Sequence, residues 1–154
     1  MGRYYDELET GEVIRHYVTK TITEGEHFLF CSITLNTQPL HIDTEFARKS
    51  TFGRILVDGL FVLSLAVGIS VGDLTSGTIV ANLGYDSVRH THPVFHGDTI
   101  RVETEVVQKR LSASREGTGI VTFLHKAFNQ KEEMVLEVKR SAMMLIKPPK
   151  TILV

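Results

Sequence analysis

The stretch Asn36-Thr37-Gln38-Pro39-Leu40-His41-Ile42-Asp43 holds the residues of this chain best suited to chemistry. An imidazole with its ordinary pKa of about 6.5 takes up and releases protons at neutral pH. Pro39 fixes the local backbone and pushes Gln38 toward an extended conformation. His41 is therefore expected on a restrained loop, with the polar groups of Asn36, Gln38 and Asp43 close in sequence. A second candidate is Asp58-Gly59, at the start of the apolar run Leu60 to Val71. A helix beginning there would offer free backbone N–H groups and a partial positive charge to an oxygen on which charge develops. The plainer alternatives are a tight turn at Gly59 and an N-terminal cap at Asp58. His90, His92 and His96 cluster around Pro93. Their spacing matches no recognised metal motif and Pro93 interrupts regular geometry, so no metal is expected.

The elements around these residues can be read from patterning. Val13 to Thr21 is expected as a first strand. Thr23-Glu24-Gly25-Glu26 matches a capping box, so a short helix should follow to about Leu35. Asp43 is placed to cap a second short helix carrying Phe46 and Ala47. Leu60 to Val71 is apolar on nearly every face, which predicts a helix surrounded by other structure. Ile100 to Val106 alternates with period two, the mark of a half-exposed antiparallel strand. Ile79 to Val88, Gly119 to Phe128 and Met134 to Ile146 are further strands, with a turn at Asn129-Gln130-Lys131-Glu132. One buried helix followed by antiparallel strands packs most economically as a curved sheet wrapped around that helix. This is an α+β chain of the hot-dog type, a single domain over residues 1–154.

Composition narrows the partners. The chain has 154 residues, 42% of them hydrophobic and 23% charged, with a net charge of −1. No basic excess calls for nucleic acid or an anionic membrane. The apolar run is too short for a membrane span, which needs about 20 residues. The single cysteine, Cys31, excludes an internal disulfide and fits a reducing cytoplasm. Within Phe28-Leu29-Phe30-Cys31 it reads as a small buried hydrophobe.

Taken together, these segments resemble the MaoC-like dehydratases and (R)-specific enoyl-CoA hydratases. The family's Asp, Asn-Pro, His, Asp motif is matched by Asn36, Gln38-Pro39, His41 and Asp43, followed by Phe46-Ala47. Its downstream elements are matched by Phe52-Gly53, by Val57-Asp58-Gly59 and by Pro93-Val94-Phe95-His96-Gly97-Asp98. The spelling is most similar to hydratases of the mesaconyl-CoA or methylmalyl-CoA type, which take branched or dicarboxylic C4–C5 acyl groups. The resemblance implies reversible addition of water across the double bond of a 2-enoyl-CoA. It gives His41 the proton transfers and Gly59 N–H the thioester oxygen. It implies a homodimer or higher homo-oligomer, and no cofactor beyond the coenzyme A of the substrate.

Asn36 stands where the family has an aspartate, and an amide cannot act as a base. Three readings follow. His41 acts alone while Asn36 positions water; or Asp43 or Asp58 supplies the missing charge; or the protein is an acyl-CoA-binding subunit without turnover. A hot-dog thioesterase using Asp58 is a further alternative. Arg110 and Arg115, beside the turn Leu111-Ser112-Ala113-Ser114, are candidates for the coenzyme A phosphates. Arg54 and Arg89 are candidates for a substrate carboxylate.

Overall fold

A computed structural model describes residues 1–149. Two short strands, β1 (Val13–Arg15) and β2 (Lys20–Thr21), precede the helices α1 (Glu24–Ile33), α2 (Pro39–Ile42), α3 (Thr44–Lys49) and α4 (Gly59–Ser70). The long strands β3 (Ile79–His90), β4 (Thr99–Leu111), β5 (Thr118–Phe128) and β6 (Met134–Leu145) follow. They form one antiparallel sheet in the order β1-β4-β5-β6-β3, and β2 also pairs with β4. The helix lies on one face of this sheet, in the hot-dog arrangement expected from the sequence.

Local chemistry accounts for the helix boundaries. Thr23 and Glu26 form the capping box of α1. Asp43 caps α3 by accepting from the N–H groups of Glu45 and Phe46 at 2.9 and 3.0 Å. The expected first strand divides in two, because Tyr17, Val18 and Thr19 leave the sheet and are exposed. His41 lies on the one-turn helix α2 rather than on a loop, since Pro39 serves as a first helical residue instead of a breaker.

Within one protomer α4 is covered on one side only. Val62, Ala66, Ile69 and Ser70 are buried, whereas Leu60, Ser64 and Gly68 are exposed. The buried side packs on Val102, Ala127, Leu136 and Val138 of the sheet. A second apolar cluster, with Leu8, Leu74, Val106, Val121, Phe123, Ala142 and Met144, fills the far end of the same face. Among the described residues β3 pairs only with β6, leaving its other edge unpaired, and Leu83, Tyr85 and Val88 of this strand are exposed.

Candidate active site

The site lies at the amino end of α4. The segment before that helix is fixed on both sides. Val57 N–H donates to Val94 O at 2.9 Å, and Leu56 N–H donates to Leu40 O at 3.2 Å. The carbonyl of Leu56 in turn accepts from His41 Nδ1 at 2.7 Å. A carbonyl can only accept, so Nδ1 carries a proton, and in the neutral ring it is Nε2 that has the lone pair. His41 thus has the tautomer of a base.

His41 borders a cavity of about 250 Å³ together with Gly59, His90 and His92, against apolar walls that include Leu56, Val57, Val62 and Val94. As the first residue of α4, Gly59 has an N–H with no intrahelical partner, and it borders this cavity. A Cβ there would lie 2.8 Å from Cε1 and Nε2 of the His90 ring, so a side chain at this position would have to displace that ring. A thioester in this cavity would therefore meet a basic nitrogen and a helix N-terminus together.

Asp58 and Asn36 support this arrangement from behind. Asp58 is buried. One of its carboxylate oxygens accepts from Leu60 N–H at 2.6 Å, capping α4, and the other accepts from Asn36 Nδ2 at 2.5 Å. Asn36 Oδ1 accepts from Gln38 N–H at 3.1 Å. The chain reaches this position through Leu35, whose φ of 56° ends α1 in the left-handed region. Asn36 is therefore the tie between Asp58 and the turn before α2. Gln38 is exposed, and Asp43 is occupied in capping α3.

Pattern reading missed His27. It is fully buried, and its Nε2 accepts from Asp58 N–H at 2.9 Å. That bond places the ring proton on Nδ1, which donates to His96 Nε2 at 2.8 Å. Burial, then repulsion from His96 and His41, pushes the His27 pKa down to about 4, against a smaller opposing pull from Asp58. Burial also lowers that of His96. His27 is thus a neutral clamp on the helix cap, with its ring centre 6.1 Å from that of His41. Only its place four residues before Cys31, on one face of α1, hinted at this.

The other candidates lie apart. The hairpin carrying Arg110 and Arg115 is at the opposite end of the sheet, eight residues along β5 from the strand row nearest the cavity, or roughly 26 Å. A protomer does not bring these arginines to His41. Arg54 is nearer: its guanidinium lies 3.7 Å over the Phe95 ring and borders a second cavity that also contains His92, Pro93 and Lys131. Among the described residues no group of three or more His, Cys, Asp or Glu is placed to hold a metal ion. No helix among them is long and apolar enough to cross a membrane.

Comparison with known proteins gives the family. Residues 7–127 match the MaoC-like domain. The chain belongs to the MaoC-like family. A mesaconyl-CoA hydratase of Cereibacter sphaeroides is 34% identical over 142 residues, which is 92% of this chain and 41% of that protein. The chain thus spans about two-fifths of that relative's length. An (R)-specific enoyl-CoA hydratase of Aeromonas caviae is 32% identical over 123 residues, 80% of this chain and 85% of that protein. A Mycobacterium tuberculosis protein described as having a double hotdog fold superposes with a TM-score of 0.86 at 28% identity, covering 96% of this chain and 45% of that one. His41 and Gly59, which the sequence resemblance singles out, both line the cavity at the end of α4.

Proposed function

We propose that the protein is a hydro-lyase that adds water to, or removes it from, the 2,3 double bond of a small enoyl-CoA. The observation that carries this reading is that His41, whose Nδ1 is tied to Leu56 O, and Gly59, the first residue of α4, line one cavity. The thioester oxygen accepts from Gly59 N–H, which draws electron density from the double bond and makes the third carbon electrophilic. His41 Nε2 takes a proton from water as the water oxygen attacks that carbon. The imidazolium then returns the proton to the second carbon, so His41 begins and ends neutral. No carboxylate base is needed. Asn36 holds Asp58, Asp58 holds the first turn of α4, and that turn aims the Gly59 N–H.

The engagement of Asp58 argues against the thioesterase alternative, because both its oxygens are already committed. The acyl group is taken to be a branched or dicarboxylic C4–C5 unit, in line with the mesaconyl-CoA hydratase relative. Coenzyme A enters only as part of the substrate, and Arg54 is the cation best placed to meet its phosphates. The free edge of β3 and the exposed side of α4 suit a second copy of the chain, giving a homodimer. A reducing cytoplasm suits the lone buried Cys31.

The test is a panel of enoyl-CoAs of different length and charge. Loss of enoyl absorbance without release of thiol is the expected outcome. Thiol release without hydration would establish the thioesterase instead, and tight binding with no turnover would establish a binding subunit.

A further inference from the structure

Three imidazoles border the cavity at the amino end of α4: His41, His90 and His92. Two of them have one nitrogen fixed by a backbone carbonyl. His41 Nδ1 donates to Leu56 O at 2.7 Å, and His92 Nδ1 donates to Met134 O at 2.9 Å. In the neutral ring each is left with a lone pair, not an N–H, at Nε2. His90 makes no such bond among the described residues, so its ring can present an N–H to the cavity.

The backbone around His90 is fixed. It is the last residue of β3 and stands opposite Leu136 of β6. The residue after it is tied to the same strand: Thr91 N–H donates to Val135 O at 3.1 Å, and the Thr91 hydroxyl donates to Met134 O. The ring itself lies against the first residue of α4. A Cβ built on Gly59 would stand 2.8 Å from His90 Nε2 and 3.2 Å from Nδ1. With standard bond lengths, Nε2 is then no more than about 5.3 Å from the Gly59 nitrogen. Two donors can hold one oxygen at about 2.7–3.1 Å each when they stand up to about 6 Å apart.

A thioester oxygen has two lone pairs, and Gly59 N–H takes one. The next helix amide, Leu60 N–H, is committed to Asp58 at 2.6 Å, and Val57 N–H to Val94 O at 2.9 Å. Leu56, Val62, Pro93 and Val94 bring no side-chain donor to the cavity. We infer that His90 is a catalytic residue that donates the second hydrogen bond to the thioester oxygen, so that Gly59 and His90 together form a two-donor oxyanion site. This rests on the hydratase reading and adds a residue to it. The bond strengthens as charge moves onto the oxygen during attack of water, while His41 keeps the proton transfers.

The experiment compares wild type with His90→Phe and His90→Gln on the enoyl-CoA that wild type hydrates best. Phenylalanine keeps a flat ring against Gly59 without an N–H, and glutamine keeps a side-chain N–H. His90 is open to solvent in one protomer, so the loss is that of a net hydrogen bond and not of a sealed oxyanion hole. In His90→Phe kcat should fall by about 3- to 10-fold, with KM within about twofold of wild type, and His90→Gln should recover much of the loss. A His90→Phe protein with the wild-type kcat, a loss confined to KM, or a loss as large in His90→Gln would overturn the assignment. A second measurement needs no turnover. The infrared carbonyl band of butyryl-CoA, which has no double bond to hydrate, reads polarisation of the thioester directly. Wild type should shift the band to lower frequency, and His90→Phe should shift it less. Equal shifts in the two proteins, or no shift in wild type, count against His90. A His90-dependent shift in a wild type that hydrates no enoyl-CoA would sink the hydratase reading and leave the donor standing.

Discussion

Replacing Asn36 with aspartate restores the residue usual in the family, and the structure predicts that it harms this protein. Asn36 Nδ2 lies 2.5 Å from Asp58 Oδ2. Two ionised carboxylates at that spacing repel by about 7 kcal/mol at an effective dielectric constant of about 20. The protein escapes by keeping a proton between them. Holding an aspartate of ordinary pKa about 3.9 protonated at pH 7 costs about 4 kcal/mol. The cheaper route wins, so Asn36→Asp should lose at most about 4 kcal/mol at pH 7, or roughly 8–16 °C in Tm for a chain of this size. The shared proton raises the folded-state pKa of the pair. The folded protein therefore binds more protons than the unfolded chain above pH 4, and stability falls as pH rises. Urea denaturation of wild type and variant at pH 4.5 and 8 tests this. The gap should be small at the lower pH and several kcal/mol at the higher. A gap independent of pH, or a variant as stable as wild type at pH 8, would refute the Asn36–Asp58 contact as the source.

Two further predictions concern the same helix end. His27 is held neutral in the fold with a pKa of about 4, below its ordinary value. Its contribution is therefore complete above about pH 6.5 and is lost as pH falls toward 4, up to about 3 kcal/mol; unfolding free energies of His27→Gln should slope less steeply over that window, and an unchanged slope would count against the clamp. Gly59→Ala drives a methyl into the His90 ring, where Cε1 and Nε2 lie 2.8 Å away. We expect kcat/KM to fall by tenfold or more, with partial recovery in the Gly59→Ala, His90→Ala double variant; no recovery would mean the collision is not the cause.

Much of the fold was legible because burial and periodicity coincide. The alternation in Ile100 to Val106 and the capping residues Thr23 and Asp43 each predicted the element found. The partly bare side of α4 was not legible, since an all-apolar sequence predicts burial without saying what covers each face. The long-range contacts were equally hidden. Asn36 and Asp58 are 22 residues apart, and His27 and Asp58 are 31 apart. Nothing local to Asn36 shows that its amide meets a carboxylate instead of a water. The Thr104–His125 contact was hidden for another reason: each is a single polar residue on its strand, and only the register sets them opposite each other. Arg110 and Arg115 looked suitable by charge alone, which carries no information about which end of the sheet they occupy.

In the proposed reaction the His41 imidazole moves both protons. The most direct measurement is the kcat of His41→Ala on whichever enoyl-CoA the wild type hydrates best, with a melting curve to show the variant folded. A general acid–base of this kind contributes about 10²- to 10⁴-fold, so a loss in that range at unchanged Tm is expected. A folded His41→Ala protein that hydrates at the wild-type rate would contradict it.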